Sequence, residues 1–432
     1  MPPRRSARLV ELANPHFQLP FPPNVVALLF SLLPLDARLR AREVCRGWRF
    51  FLEDVSLWQY PDFSEAAAES PTVVLTWGLA RAACARAKGT LHTLNLRGML
   101  ADSLAALVEL VAENGESLRS LLTPYSLVLG AENVERLRQA APLCVLNCPV
   151  KCSGAEVAAL LRCELVCPYY LWVDDLDTQQ QQTDFVAALA KRTGIEVIAL
   201  MGGNLAGGAM LEDLARAIVF TGAKTTIAFG QCGLTQLALP ALTLLLRSNV
   251  LWNIGILNRG VSLFTGPNLP AFCDALRSNS SLDRISVDNC DLWAIPADAG
   301  MVPAALAART PPFTLTLHHD RVGETRAQQF AAGTQLAKLI TADGLTALNL
   351  SGCNLGKAGL APIFEALSRA TRLESQELSG ELMSREYARD VVLPAVRANT
   401  SLQSLTFRYA DEDEEELLPE LIEAQNIVKA RN

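Results

Sequence analysis

Histidine and lysine are both scarce in this 432-residue chain. The histidines are His16, His92, His318 and His319, and the lysines are Lys88, Lys151, Lys191, Lys224, Lys338, Lys357 and Lys429. So small a histidine set supplies little acid–base chemistry, and no Gly-rich phosphate loop, HExxH or GxSxG motif accompanies it. The short lysine set goes with an alanine- and arginine-rich composition, and no function is read from it. No apolar run reaches the ~18–20 residues that a membrane span needs. The stretch Val25–Leu33 is bracketed by prolines and preceded by a long segment, which fits a signal-peptide core poorly. A basic surplus is missing as well. With a net charge of −7, general nucleic-acid binding is not expected, because phosphate neutralisation needs a basic face.

Paired cysteines are lacking too. The 11 cysteines are odd in number and sit at apolar positions, which suits reduced thiols in the cytoplasm and/or nucleus rather than a disulfide framework. Cys144, Cys148, Cys152, Cys163 and Cys167 are close enough in sequence for zinc to be weighed. Their spacing is not CxxC, and Leu143, Leu146 and Leu165 around them read as a buried strand. Core thiols are the expectation, with no metal and no cofactor.

What the chain does have is length, a 50% hydrophobic content and repetition. LTALNLSGCNLGKAGLAPIFEALSRAT puts Leu345, Leu348, Leu350, Cys353 and Leu355 on an LxxLxLxxCxL frame. The frame recurs at Leu282, Ile285, Val287, Cys290 and Leu292; at Leu91, Leu94 and Leu96; and at Ile195, Ile198 and Leu200. Further copies lie at Leu251, Ile254 and Ile256, and at Leu402, Leu405 and Phe407. Weaker ones start at Leu118, Leu143, Pro168, Lys224, Pro312 and Leu373. The mean spacing is about 28 residues, giving about twelve units.

In each unit LxL places two apolar side chains on one strand face. A helical half follows, as in Leu104, Leu107, Val108, Val111 and in Leu360, Ile363, Phe364, Leu367. Met201-Gly202-Gly203-Asn204 falls where a unit needs a turn. This pattern resembles the ribonuclease-inhibitor-like class of leucine-rich repeats. The resemblance implies an α/β fold: a curved solenoid with parallel strands on the concave face and helices on the convex one. Cys232, Cys290 and Cys353 share one frame position.

The segment before the repeats follows another rule. Pro20, Pro22 and Pro23 restrict the chain ahead of a helix, and Pro34 closes it or starts the next turn. Ala37, Ala41, Val44, Trp48 and Phe51 then form one apolar stripe, with Arg38, Arg42 and Arg49 towards solvent. Phe21-Pro22-Pro23-Asn24, the run Val25, Val26, Leu28, Leu29, Phe30, Leu32, Leu33, Pro34, then Val44-Cys45-Arg46-Gly47-Trp48-Arg49, and finally Ser56-Leu57-Trp58 appear in that order. This order resembles the F-box, the helical motif by which substrate receptors dock on the adaptor subunit of cullin-RING ubiquitin ligases. Asn24 stands where glutamate is usual, and Arg38 and Glu43 stand where aliphatic residues are common. So short a hairpin cannot bury all its own leucines. A cap shielding the first repeat would explain the apolar surplus alone, but not the order of the motifs.

The resemblance implies an adaptor contact through Pro22, Val25, Leu28, Leu29, Leu32, Val44 and Trp48. Side-chain alternation sends Arg97, Trp172, Asp174, Leu257, Arg284, Asp288, His318 and Arg408 to the concave face, as candidate residues for binding a protein substrate. The expected organisation is a tail over 1–17, an F-box-like motif over 18–62, a linker with a capping helix over 63–90, repeats over 91–410 and an acidic cap helix over 411–432. The expected role is a non-catalytic substrate receptor of an SCF-type ligase, with no membrane or nucleic-acid partner. Two alternatives remain: a plain repeat scaffold or inhibitor, and a Ran GTPase-activating type of protein, whose acidic C-terminal tract Asp411–Glu416 would match.

Overall fold

The computed structural model describes residues 30, 33, 55–63, 77–87, 89–99, 104–258, 263–290, 292–293, 298–319, 325–342, 344–380, 383–408 and 417–431. The chain divides into two compact units, the first holding 1–152 with 159–171 and the second 153–158 with 172–432.

In the first unit β1 (Thr93–Asn95), β2 (Ser120–Leu122) and β4 (Val145–Asn147) form a parallel sheet in the order β1-β2-β4. The buried Leu94, Leu121 and Leu146 make its inner row. The backbone around Val166 extends the sheet past β4, since Leu146 N–H donates to Leu165 O and Cys167 N–H to Leu146 O. One feature has no counterpart in the repeat frame: β3 (Leu129–Gly130) pairs in parallel with β5 (Pro149–Ser153), Leu129 opposite Val150. In the helix Leu104–Ala112 the buried stripe is Leu107, Leu110 and Val111, while Leu104 and Val108 are half-buried. The helix is therefore turned about its axis relative to the expected stripe, because a 3-and-4 spacing fits two adjacent faces when nearly every position is apolar.

β6 (Tyr170–Asp174) begins in the first unit and ends in the second. In the second unit β7 (Val197–Met201), β8 (Thr225–Gly230), β9 (Leu251–Leu257), β10 (Arg284–Asp288), β11 (Phe313–His318), β12 (Leu345–Asn349), β13 (Ser375–Ser379) and β14 (Ser404–Arg408) lie side by side in sequence order. The registers from β7 to β14 are all parallel. Sequential parallel order requires a helical crossover between neighbours, so a strand-and-helix unit repeats along the chain. Every frame start read from the sequence falls within two residues of an observed strand start. The full frames at Leu345, Leu348, Leu350, Cys353, Leu355 and at Leu282, Ile285, Val287, Cys290, Leu292 are buried throughout, as are Leu360, Ile363, Phe364 and Leu367 of the following helix.

The turns after the strands share one backbone device. Asp175, Gly202, Gln231, Asn289, His319 and Gly380 each directly follow a strand and take φ between 51° and 77°. The chain must turn off the sheet at once, and a left-handed residue does so; glycine adopts that conformation without strain. At Gly203 the approach is also steric, because a Cβ there would lie 2.8 Å from Leu176 N. The shared cysteines form a ladder: the thiols of Cys232, Cys290 and Cys353 donate to Leu200 O (3.2 Å), Ile256 O (3.6 Å) and Leu317 O (3.3 Å) of the preceding strand.

Candidate binding surface

The parallel register sets the second unit's sheet face in rows. Thr226, Asn253, Arg284, Thr314, Ala347, Ser375 and Ser404 form one row across β8–β14. Ala228, Gly255, Ser286, Thr316, Asn349, Glu377 and Thr406 form the next. Gly230, Leu257, Asp288 and His318 form the third, continued on β13 and β14 by Ser379 and Arg408. Between these rows the LxL side chains point inward and are buried. The open face is thus rich in hydroxyls and short side chains. Such a surface lets another backbone come close and offers hydrogen bonds with little net charge.

Several polar groups on it are already tied. Asn349 donates to Glu377 Oε2 at 2.9 Å, Ser379 to Glu377 Oε1 at 3.1 Å, and Asn253 to Thr226 Oγ1 at 3.1 Å. On β6 the Trp172 indole N–H donates to Asp174 Oδ1 at 2.5 Å.

Register brings Leu257, Asp288 and His318 together as neighbours in one row. Arg284 opens β10 in the first row, away from these three, and is exposed. Arg408 ends β14 beside Ser379, and its side chain lies outside the described residues. Arg97 belongs to the first unit, apart from this row. Asn349 and Glu377 are not among the positions named from the sequence, although register sets them in one row with Thr316 on the same open face. The buried His318 Nε2 has no hydrogen-bond partner among the described residues.

Of the helical motif, Pro22, Val25, Leu28, Leu29, Leu32, Val44 and Trp48 lie outside the described residues. Phe30 is buried, and Leu33 N–H donates to Phe30 O at 3.3 Å, one turn before Pro34. Trp58 and Phe63 are both 0% exposed, and the Arg86 guanidinium sits 5.1 Å from the Trp58 ring. Between these anchors the backbone runs as an added parallel partner of β1: His92 and Thr93 N–H donate to Gln59 O, Asn95 N–H to Pro61 O, and Phe63 N–H to Asn95 O. The motif therefore ends hydrogen-bonded to the first repeat strand rather than on a free linker.

Among the described residues no group of three or more His, Cys, Asp or Glu is placed to hold a metal. Burial pushes the Cys144 and Cys148 thiols up to about 12. Among the described residues, no helix is long and apolar enough to cross a membrane.

No curated protein matches the sequence. Among solved structures the chain is similar to the leiomodin-1 actin-binding site 2 (ABS2), at 16% identity over 37% of this chain and 69% of that one, with a TM-score of 0.22. It is also similar to the complex of Rad7 and Elc1 in yeast, at 12% identity over 92% of this chain and 94% of that one, with a TM-score of 0.36. Residues 21–64 match the F-box-like family model, so an F-box-like domain precedes the α/β repeats.

Proposed function

We propose that this chain is a non-catalytic substrate-recognition subunit of an SCF-type ubiquitin ligase. The F-box-like domain docks on the adaptor subunit through Pro22, Val25, Leu28, Leu29, Leu32, Val44 and Trp48, and the leucine-rich repeats hold a protein substrate on the open strand face. The observation that carries this reading is the F-box-like match at residues 21–64. The backbone join between Gln59–Phe63 and β1 supports it. A receptor must hold its substrate at a fixed place relative to the enzyme that modifies it, since transfer depends on positioning a lysine near the thioester. A motif sewn into the sheet meets that demand better than one on a flexible tether.

The test uses the full chain, because cutting after residue 64 would strip β1 of its edge partner. Purified protein is mixed with the adaptor and a cullin scaffold, and complex formation is followed by size exclusion with light scattering. The wild type should co-elute with the adaptor, and Leu28→Asp with Leu29→Asp should not, at unchanged circular dichroism. Failure of the folded wild type to bind any adaptor would refute the ligase assignment.

A further inference from the structure

The first unit gathers an arginine, with no counterion among the described residues, at the carboxyl ends of its parallel strands. Arg97 follows β1, Thr123 and Tyr125 follow β2, Cys148 follows β4, and Tyr169 follows the segment that bridges β4. The Arg97 guanidinium carbon lies 4.6 Å from the Tyr169 ring centroid and 5.5 Å from that of Tyr125. The two rings meet edge to face at 5.1 Å. Tyr169 is buried and its hydroxyl donates to Thr123 O at 3.2 Å, whereas Tyr125 is 55% exposed. One wall of the pair is thus fixed and the other open to solvent.

Among the described residues, no acid closes this arrangement. The groups acting electrostatically on Tyr169 are Arg97, Cys148 and Tyr125, with no carboxylate among them. Arg97 Nε is buried with no hydrogen-bond partner, and so is the hydroxyl of Thr123, itself 0% exposed. A dry guanidinium N–H and a dry hydroxyl are costly unless something accepts from them. A planar guanidinium set against aromatic rings loses no donor to them, and its fork of N–H groups takes a carboxylate or phosphate on two parallel bonds.

We propose that Arg97, clamped by Tyr125 and Tyr169, is the receptor for one anionic group, carboxylate or phosphate, carried by a peptide. The proposal rests on the substrate-receptor reading and names what that substrate must present to the first repeats. The rings hold the cation in place, the anion bonds to the guanidinium, and Tyr125 packs beside the peptide.

The experiment is an NMR titration of the ¹⁵N-arginine-labelled full chain, read at the arginine Nε–H resonances. The probes are inorganic phosphate and three otherwise identical Gly/Ser peptides with a central phosphoserine, glutamate or serine. One resonance, missing from Arg97→Gln, should shift saturably with phosphate and with at least one anionic peptide, and stay put with the serine peptide. Response to phosphoserine alone identifies a phosphate, to glutamate alone a carboxylate, and to both a demand for charge only. Arg97→Lys should weaken binding about tenfold, because it loses the fork. Tyr125→Ala, at an exposed ring, should keep the fold and weaken binding about three- to fivefold. No response to either anionic peptide, or an equal response in Arg97→Gln or to the serine peptide, overturns the proposal. Adaptor binding is measured on the same sample. Its loss would sink the receptor reading while leaving the titration intact, whereas silence in the titration with adaptor binding intact sinks only the anion site.

Discussion

Gln376 occupies an inward position of β13, between Leu348 of β12 and Leu405 of β14 in register. It is 0% exposed, and neither its Nε2 nor its Oε1 has a hydrogen-bond partner among the described residues. A buried polar group left unpaired costs ~1–3 kcal/mol, so Gln376→Met, which keeps the unbranched shape and removes both polar atoms, should stabilise the protein by about that much. For a unit of this size the melting temperature moves ~2 °C per kcal/mol, giving a rise of roughly 2–6 °C. The check is urea unfolding followed by circular dichroism, where the midpoint should rise at unchanged m-value. A midpoint that stays or falls would mean that the amide is satisfied in solution, and the reasoning from its isolation would be wrong.

Asn399 makes the opposite case at equal burial: it donates to Leu367 O and Ala370 O and accepts from the N–H groups of Ser401 and Leu402. Asn399→Ala should cost ~2–4 kcal/mol in the same unfolding assay, because backbone groups lose their partners as well. Gly333→Ala sets helix propensity, a gain of ~1 kcal/mol, against a Cβ placed 2.1 Å from Gly359 O and 2.8 Å from Gly359 Cα. The overlap with backbone should win, and thermal melting should show a net loss of ~1–3 kcal/mol. Phe63→Ala should free the edge beside β1, and hydrogen exchange should then quicken at the His92, Thr93 and Asn95 amides while β10–β12 stay protected. Burial pushes the Cys144, Cys148 and Cys232 thiols up to about 12, so at pH 8 only about one in ten thousand is thiolate. Peptide mapping after brief alkylation should find the half-buried Cys163 and Cys167 modified well before these three; equal rates would show that the thiols open readily to solvent.

The strand positions were legible in the sequence because a parallel strand covered on one face writes its leucines two apart, and an array of such strands repeats that mark at a fixed interval. What stayed hidden was the satisfaction of the joints. Asn279 and Asn399 stand three residues before the frame leucines Leu282 and Leu402, each with a serine between, as Asn-x-Ser-Leu. Each caps its own turn and reaches a carbonyl of the helix one repeat earlier, Leu246 O from Asn279 and Leu367 O from Asn399. Where that motif is absent a cation does the work: Arg309 donates to Leu276 O, Asn279 O and Leu282 O, and Arg431 to Val396 O and Asn399 O. A polar residue just before an apolar frame reads as a solvated turn in sequence, and only the fold shows it buried at 1% exposure.

The binding surface was legible by phase and illegible by partner. Alternation put Leu257, Asp288 and His318 on the open face, and register made them neighbours, since one frame position repeats at the same height on every strand. Alternation cannot say which of those groups is already spent on a neighbour. Trp172 and Asp174 satisfy each other, and Asn349 and Glu377 do likewise, so a partner must break or share those bonds. Arg97 looked like one more charged position in that pattern. Its distinction comes from Tyr125 and Tyr169, 28 and 72 residues further along the chain, and from the want of any acid beside them among the described residues. A repeat places equivalent positions side by side; the chemistry of a site arises where the repeat is broken by a residue that its neighbours in the array do not match.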